Sequence, residues 1–304
     1  MTRFAWPAFI LVACLPLIAR AEVSPYQVVL TIPYGNQPGQ LDTSLIHGDD
    51  PGRTLIAAFH RGADGIFWLM PTVGVAGGRK IILGYRGDSL VSTVEFDGIP
   101  CDFLIAREGV YSCGASPSGR PGIIALFAFD PLGGDGIAWR AGLPESRALR
   151  PPVGGQLQWI ANRPYWVTYD CRRAVPVDVG RTEGVLGSET VSGVPTARGV
   201  VSQNDGDVTR DGRRILDLYA DGSGGMVFVF DNGGFVIRRT GDPSASGWTP
   251  VFDIYDADAG KIRRVHTLPR SGPYGVWSYP WLFEENGDVY QLVLSKENAR
   301  VIRY

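Results

Sequence analysis

Three histidines, His47, His60 and His266, are the side chains whose ordinary pKa suits acid–base chemistry near neutral pH. His60 directly follows the apolar stretch Thr54 to Phe59, which reads as an innermost strand opening toward a central axis, so it is the best placed of the three. Acidic residues near the starts of other such strands are Asp102, Glu284 and Glu285. His60, Asp102 and Glu284 are therefore the candidate central-channel residues, with Asp102 where an axial ligand is expected. A hydrogen-bonded structural histidine, without chemistry, is the favoured reading of His60. His47 sits in a loop with Asp49 and Asp50 and reads as solvated, and His266 lies on an outer strand at the surface.

Other chemistries find little support. Serine catalysis needs a nucleophile held against a base, and the chain has no Gly-x-Ser-x-Gly elbow; Gly222-Ser223-Gly224-Gly225 reads as a flexible turn. Asp256-Ala257-Asp258-Ala259-Gly260 opens like a calcium loop, but Thr267 stands where the closing Glu belongs, so a hairpin turn is the reading. No metal site and no cofactor are assigned, although a divalent cation such as Ca2+ in the channel stays compatible with the sequence. Arg86-Gly87-Asp88-Ser89 matches an integrin-recognition tetrapeptide, and Gly87 in a tight turn explains it without a receptor. P-loop, Rossmann and H-E-x-x-H patterns are absent.

Residues 1–21 read as a secretory leader, with Arg3, an apolar stretch from Phe4 to Ile18, and Ala19-Arg20-Ala21 before Glu22. The stretch is shorter than the roughly 20 residues of a membrane span and contains Pro7 and Pro16, so no transmembrane segment is expected in the mature chain. Leu11-Val12-Ala13-Cys14 has the form of a lipoprotein cleavage site, a minor alternative because the apolar run continues past Cys14. The expected location is periplasmic or secreted. Without the leader, 27 Lys and Arg stand against 31 Asp and Glu, and there is no basic footprint for nucleic acid.

Export permits disulfides, but the three remaining cysteines, Cys101, Cys113 and Cys171, cannot all pair within one chain. Cys101 and Cys113 flank the Glu108-Gly109 turn. If those two residues form the hairpin loop, Cys113 faces Leu104, and a Cys101–Cys113 bond requires a different loop or a bulge. That bond, a bond to Cys171, and free thiols all stay open.

The elements that would position these groups are strands. Forty Gly and 22 Pro, with no apolar helical period sustained over three turns, predict an all-β chain. An acidic residue or Asn followed by Gly recurs before aromatic strands, in Asp64-Gly65-Ile66-Phe67, Glu108-Gly109-Val110-Tyr111 and Asn286-Gly287-Asp288-Val289-Tyr290. Around these turns lie meanders of four short strands, the spacing of β-propeller blades. Aromatic residues on the second strands, such as Phe67, Trp68, Tyr111, Tyr165, Trp166 and Tyr290, are expected to pack between blades.

The last meander has three strands, and Gln27 to Ile32 supplies a fourth that would close the ring and remove exposed edges. Residues 22–304 thus form one propeller domain. Six four-stranded blades are expected from its length, with five or seven compatible. The span from Gly155 to Gly225, where the turn phrase is lost, reads as irregular and as the first place to seek function.

Tyr26 to Gln40 and the Asp/Asn-Gly-x-aromatic turns resemble the first-blade entry and inner hairpins of NHL-type six-bladed propellers, although the NHL Asp-x-x-Asn-x-Arg-Ile phrase is missing. Tyr255-Asp256-Ala257-Asp258-Ala259-Gly260-Lys261 resembles the turn of quinoprotein-type repeats. The resemblance implies a propeller superfamily rather than one family. The expected function is an exported, non-catalytic propeller that binds another extracytoplasmic protein, or a glycan or small ligand, through loops on one face. The alternative is a metal-dependent hydrolase of the lactonase or esterase type with a central-channel site.

Overall fold

The computed structural model describes residues 23–42, 53–62, 64–71, 79–97, 99–106, 109–115, 155–179, 184–186, 190–220, 224–239, 249–269, 274–276 and 280–304. Within them the chain is all strand: no helix occurs, and hence none long and apolar enough to cross a membrane. The leader and His47 lie outside the described residues, as do residues 123–130 and 136–140, whose apolar runs read in the sequence as the last two strands of the meander that begins at Cys101.

After β1 (Gln27–Pro33), the strands β2 (Arg53–Arg61), β3 (Phe67–Pro71), β4 (Arg79–Arg86) and β5 (Ser89–Asp97) form an antiparallel meander. A two-stranded hairpin follows, β6 (Ile99–Ala106) with β7 (Gly109–Ala115). The next blade comprises β8 (Gly155–Ile160), β9 (Arg163–Thr168) and β10 (Arg173–Val179), with β11 (Gly184–Leu186) and β12 (Val191–Ser192) both on β10. Another contains β13 (Val194–Thr196), β14 (Gly199–Asn204), β15 (Asp207–Arg210) and β16 (Arg213–Asp217). It is followed by β17 (Gly224–Val229), β18 (Phe235–Arg239), β19 (Val251–Tyr255) and β20 (Lys261–His266). The chain then adds β21 (Tyr274–Val276), parallel to β2, and finishes with β22 (Trp281–Phe283), β23 (Val289–Leu294) and β24 (Asn298–Arg303).

The fold is a β-propeller. Its ring closes as expected: β1 pairs antiparallel with β24, so the first strand completes the last blade. Leu30 and Ile32 of β1 are 1% exposed and pack with Leu292 and Val301, which ties the two ends of the chain by burial as well as by the ladder.

The core lies between blades. Phe67 of β3 meets Tyr290 of β23 edge to face at 5.4 Å, and Trp68, Tyr165 and Trp166 on second strands are buried too. The side chain of Tyr111 lies outside the described residues. Packing is tight where Gly84 of β4 faces Trp68, because a Cβ there would stand 2.7 Å from the indole. Gly84→Ala is therefore expected to lower stability by about 1–3 kcal/mol, read from urea denaturation, through overpacking.

Blade number, the middle span and one hairpin register need correction. Among the described residues five blades of four or more strands are present, not six. Dividing length by an average repeat treats every residue as blade, whereas β21 leaves its neighbours to join β2, and β6–β7 form a two-stranded hairpin between β2 and β8. The span from Gly155 to Gly225 is not irregular: β8 to β16 build two blades there. Their tight turns use Ala161-Asn162, Asp205-Gly206 and Asp211-Gly212, all at positive φ, in place of the recurring phrase.

The register of β6–β7 also differs. The ladder ends with Ala106 opposite Gly109, one position earlier on the first strand and one earlier on the second than a Glu108-Gly109 loop would give, so Cys113 faces Asp102 rather than Leu104. The ladder shifts between Pro100 and Asp102, placing Cys101 in a bulge beside Cys113; the side chains of both lie outside the described residues. Cys171 is a free, buried thiol whose pKa burial pushes up, which makes it unreactive.

The other turn motifs have local roles. Asp256 Oδ1 accepts from the Asp258 and Gly260 amides, 2.9 and 2.8 Å away, which is a hairpin Asx turn. Asp88 Oδ1 accepts from the Thr31 amide at 2.8 Å and so ties the β4–β5 turn to β1. His266 lies on β20 as expected, but it is half-buried, and its backbone exchanges hydrogen bonds with Ser24.

Candidate functional site

Inner strands leave one row of backbone groups unpaired at the ring axis, so side chains and cavities there are set by what satisfies those groups. Around the axis a cavity of about 510 Å³ is lined from β2, β6, β8, the end of β17 and β22. This volume falls in the range of roughly 300–1,000 Å³ usual for small-molecule sites.

His60 stands near the end of β2, and its Nε2 is 2.9 Å from Asp102 Oδ1 on β6. Asp102 is 3% exposed, and its Oδ2 accepts from the Leu157 amide of β8 at 2.7 Å. One carboxylate thus links three neighbouring inner strands. The Phe103 ring meets the imidazole edge to face at 4.7 Å and fixes its plane. An imidazole held by a buried carboxylate beside a cavity is an arrangement that can relay a proton, and it is equally one that stitches strands together.

Glu284, at the end of β22, lines the same cavity but joins neither group. It pairs with Arg61, whose guanidinium lies 5.5 Å from the Phe67 ring centre and 5.0 Å from that of Tyr290. Burial raises the Tyr290 phenol pKa, and the Glu284 charge adds to that. The three sequence-identified residues therefore share one cavity as two separate pairs, His60 with Asp102 and Arg61 with Glu284. Among the described residues no three His, Cys, Asp or Glu side chains gather where they could hold a metal ion.

Sequence reasoning passed over Arg61, Gln158, Trp159 and Phe228, which also line the cavity. A signal existed on β8, where Gln156 and Gln158 alternate with Leu157 in a strand otherwise apolar. Gln158 is 5% exposed, and neither its Nε2 nor its Oε1 has a hydrogen-bond partner. Asp231 has a structural tie, since its Oδ1 accepts from the Ala161 amide at 2.7 Å and joins the end of β17 to the β8–β9 turn.

No protein-family model and no curated protein sequence matches the chain. Solved structures with a similar course include a protein of unknown function from Bacteroides caccae, with 12% identity and a TM-score of 0.34 over 69% of this chain. The chain spans 66% of that protein's length, just under two thirds. A candidate 6-phosphogluconolactonase from Bacteroides uniformis matches at 13% identity and a TM-score of 0.39, over 78% of this chain and 77% of that one. A candidate oxidoreductase (glucose dehydrogenase) from Thermus thermophilus matches at 13% identity and a TM-score of 0.40, over 84% and 98%. Likeness at this level says nothing of chemistry, and the propeller rests on the strand ladders themselves.

Proposed function

We propose that the chain is an exported, non-catalytic β-propeller that binds a small ligand in its axial cavity. The observation that carries the reading is the cavity itself: it is of ligand size, bounded by inner strands, and lined by aromatic rings with a few fixed polar groups. Export rests on residues 1–21, and the NHL-type affiliation rests on the turn phrases. A partner protein of the same compartment would dock on loops of one ring face, a part of the proposal carried by fold analogy alone.

Native mass spectrometry of the mature chain, purified without denaturation from exporting cells, tests the reading. A small molecule is expected to be retained, to leave unchanged on unfolding, and to be missing from Leu282→Trp, which fills the cavity from its lining. No retained mass in a folded wild-type chain contradicts it.

A hydrolase reading has one observation in its favour, the His60–Asp102 hydrogen bond beside the cavity. Turnover of a simple lactone or p-nitrophenyl ester that disappears in His60→Ala would replace binding with catalysis.

The Cys101–Cys113 disulfide is proposed with this reading, because the bulge at Cys101 brings the two backbones side by side and would stiffen the hairpin that carries Asp102. Alkylation of the unfolded, unreduced mature chain is then expected to modify Cys171 alone; modification of all three cysteines contradicts the bond.

A further inference from the structure

We propose that the axial cavity takes a neutral aromatic alcohol, whose hydroxyl donates to His60 Nδ1. The inference rests on the binding reading above and names the class of ligand.

Proton placement comes first. Asp102 Oδ2 accepts from the Leu157 amide at 2.7 Å, and Oδ1 stands 2.9 Å from His60 Nε2. A carboxylate can only accept, so in the neutral imidazole Nε2 carries the proton and Nδ1 keeps its lone pair. The Phe103 ring, edge to face at 4.7 Å, holds the imidazole in that orientation. Nδ1 has no partner among the described residues, yet it is not sealed in. His60 lines the cavity with 17% of its side chain exposed, and Nδ1 does not stand among the buried atoms left unpaired. The Gln158 amide, by contrast, is closed off within the wall. An oriented, unspent acceptor on a cavity wall takes its donor from a molecule in the cavity.

Charge decides against an ionic ligand. The charges of the lining are already answered: Glu284 pairs with Arg61, Asp102 with His60, and Asp231 accepts from the Ala161 amide. Glu285 is exposed and stays hydrated. A cation or anion entering here would lose its water without meeting a free countercharge, a cost that a neutral ligand avoids.

The shape and polarity of the walls supply the rest. Trp159 and Phe228 line the cavity half-buried, and Phe283 stands behind Phe228 with 5.7 Å between ring centres. Flat apolar faces pack well against another ring. Beside them, the neutral polar side chains open to the cavity are His60 and Gln156. Two such groups satisfy one hydroxyl, which donates one hydrogen bond and accepts others, but leave most hydroxyls of a sugar without partners. The fitting ligand therefore carries one hydroxyl on an aromatic body.

NMR titration of the mature chain at a pH of about 8, above the ordinary imidazole range, tests the proposal. The probes are benzyl alcohol, benzyl methyl ether, benzylamine, benzoate and N-acetylglucosamine. Benzyl alcohol is expected to bind about tenfold more tightly than the ether, which keeps the ring and loses the donor, and about tenfold more tightly than either ion. The imidazole nitrogen signals of His60 are expected to show Nδ1 unprotonated in the free chain and to shift with the alcohol alone. His60→Phe is expected to bind alcohol and ether alike. The nitrogen signals need no variant, so they stand even where His60→Phe does not fold.

Equal binding of alcohol and ether, preference for an ion or the sugar, or a proton on Nδ1 in the free chain overturns the ligand class and leaves the binding reading standing. So does a native ligand retained by a chain that takes up no benzyl alcohol. No probe bound and no native ligand retained removes both. A preference for the alcohol that survives in His60→Phe places the acceptor elsewhere, and the assignment falls.

Discussion

Replacing Asp253 by alanine is expected to destabilise the protein by about 3–5 kcal/mol, a fall in Tm of about 10 °C. Asp253 lies on β19 with no exposed surface. Arg239 Nε donates to its Oδ2 at 2.7 Å, Arg264 Nε to its Oδ1 at 2.6 Å, and Lys261 Nζ lies 3.3 Å away. Arg264 and Lys261 are 46% and 34% exposed along their side chains, so each can turn to water when the carboxylate goes. Arg239 is 8% exposed and cannot, which leaves its charge buried without its carboxylate. That stranded cation accounts for most of the loss.

The same cluster sets a response to acid. Burial alone would raise the Asp253 pKa, but the hydrogen bonds and charges of Arg264 and Arg239 outweigh it and hold the carboxyl at about 2. In the unfolded chain it titrates near about 4. Its contribution is therefore complete above pH of about 4 and is lost as pH falls toward 2, an effect of about 2 kcal/mol. Urea unfolding at a series of pH values should show that slope in the wild type and its loss in Asp253→Asn. An equal slope in both would assign acid sensitivity elsewhere.

Asp102→Ala is the second large effect, an expected loss of about 2–4 kcal/mol. The Leu157 amide would be left unpaired in a buried position, and His60 would lose its charged partner. The consequence is local as well as global, because Asp102 fastens the hairpin β6–β7 to both β2 and β8. His60→Ala added to Asp102→Ala should cost little more, since one network is being broken twice. Full additivity of the two changes, measured by chemical denaturation, would show that the pair is not a working link. Ligand affinity should fall in Asp102→Ala even where the chain is folded, because two walls of the cavity lose their tie.

Ring closure was legible in the sequence because β1 is an isolated strand and the last meander lacks one. The turns at Asp64-Gly65 and Asn286-Gly287 were legible because Gly65 and Gly287 take positive φ, 80° and 90°, and Gly accepts that without strain. His60, Asp102 and Glu284 could be placed on one cavity because each stands on or beside an inner strand.

Their partners could not be foreseen. Arg61 meets Glu284 across 223 positions of sequence, and no local pattern marks such a pair. The blade β13–β16 was hidden by the shortness of β13 and by Pro195 within it. The β6–β7 register was misread because a turn phrase does not state where it stands relative to its loop: Asn286-Gly287 sits inside a loop running from Phe283 to Val289, whereas Gly109 already belongs to β7. Gln158 was taken simply as part of a strand, since an unpaired amide is a property of the packed wall and not of the residue type.

The central claim is that the axial cavity holds a small ligand. Its most direct test is a crystal structure of the mature chain as isolated. The account predicts density for a compact organic molecule in contact with the Trp159 ring, between the His60–Asp102 and Arg61–Glu284 pairs. A cavity filled only by water would contradict it.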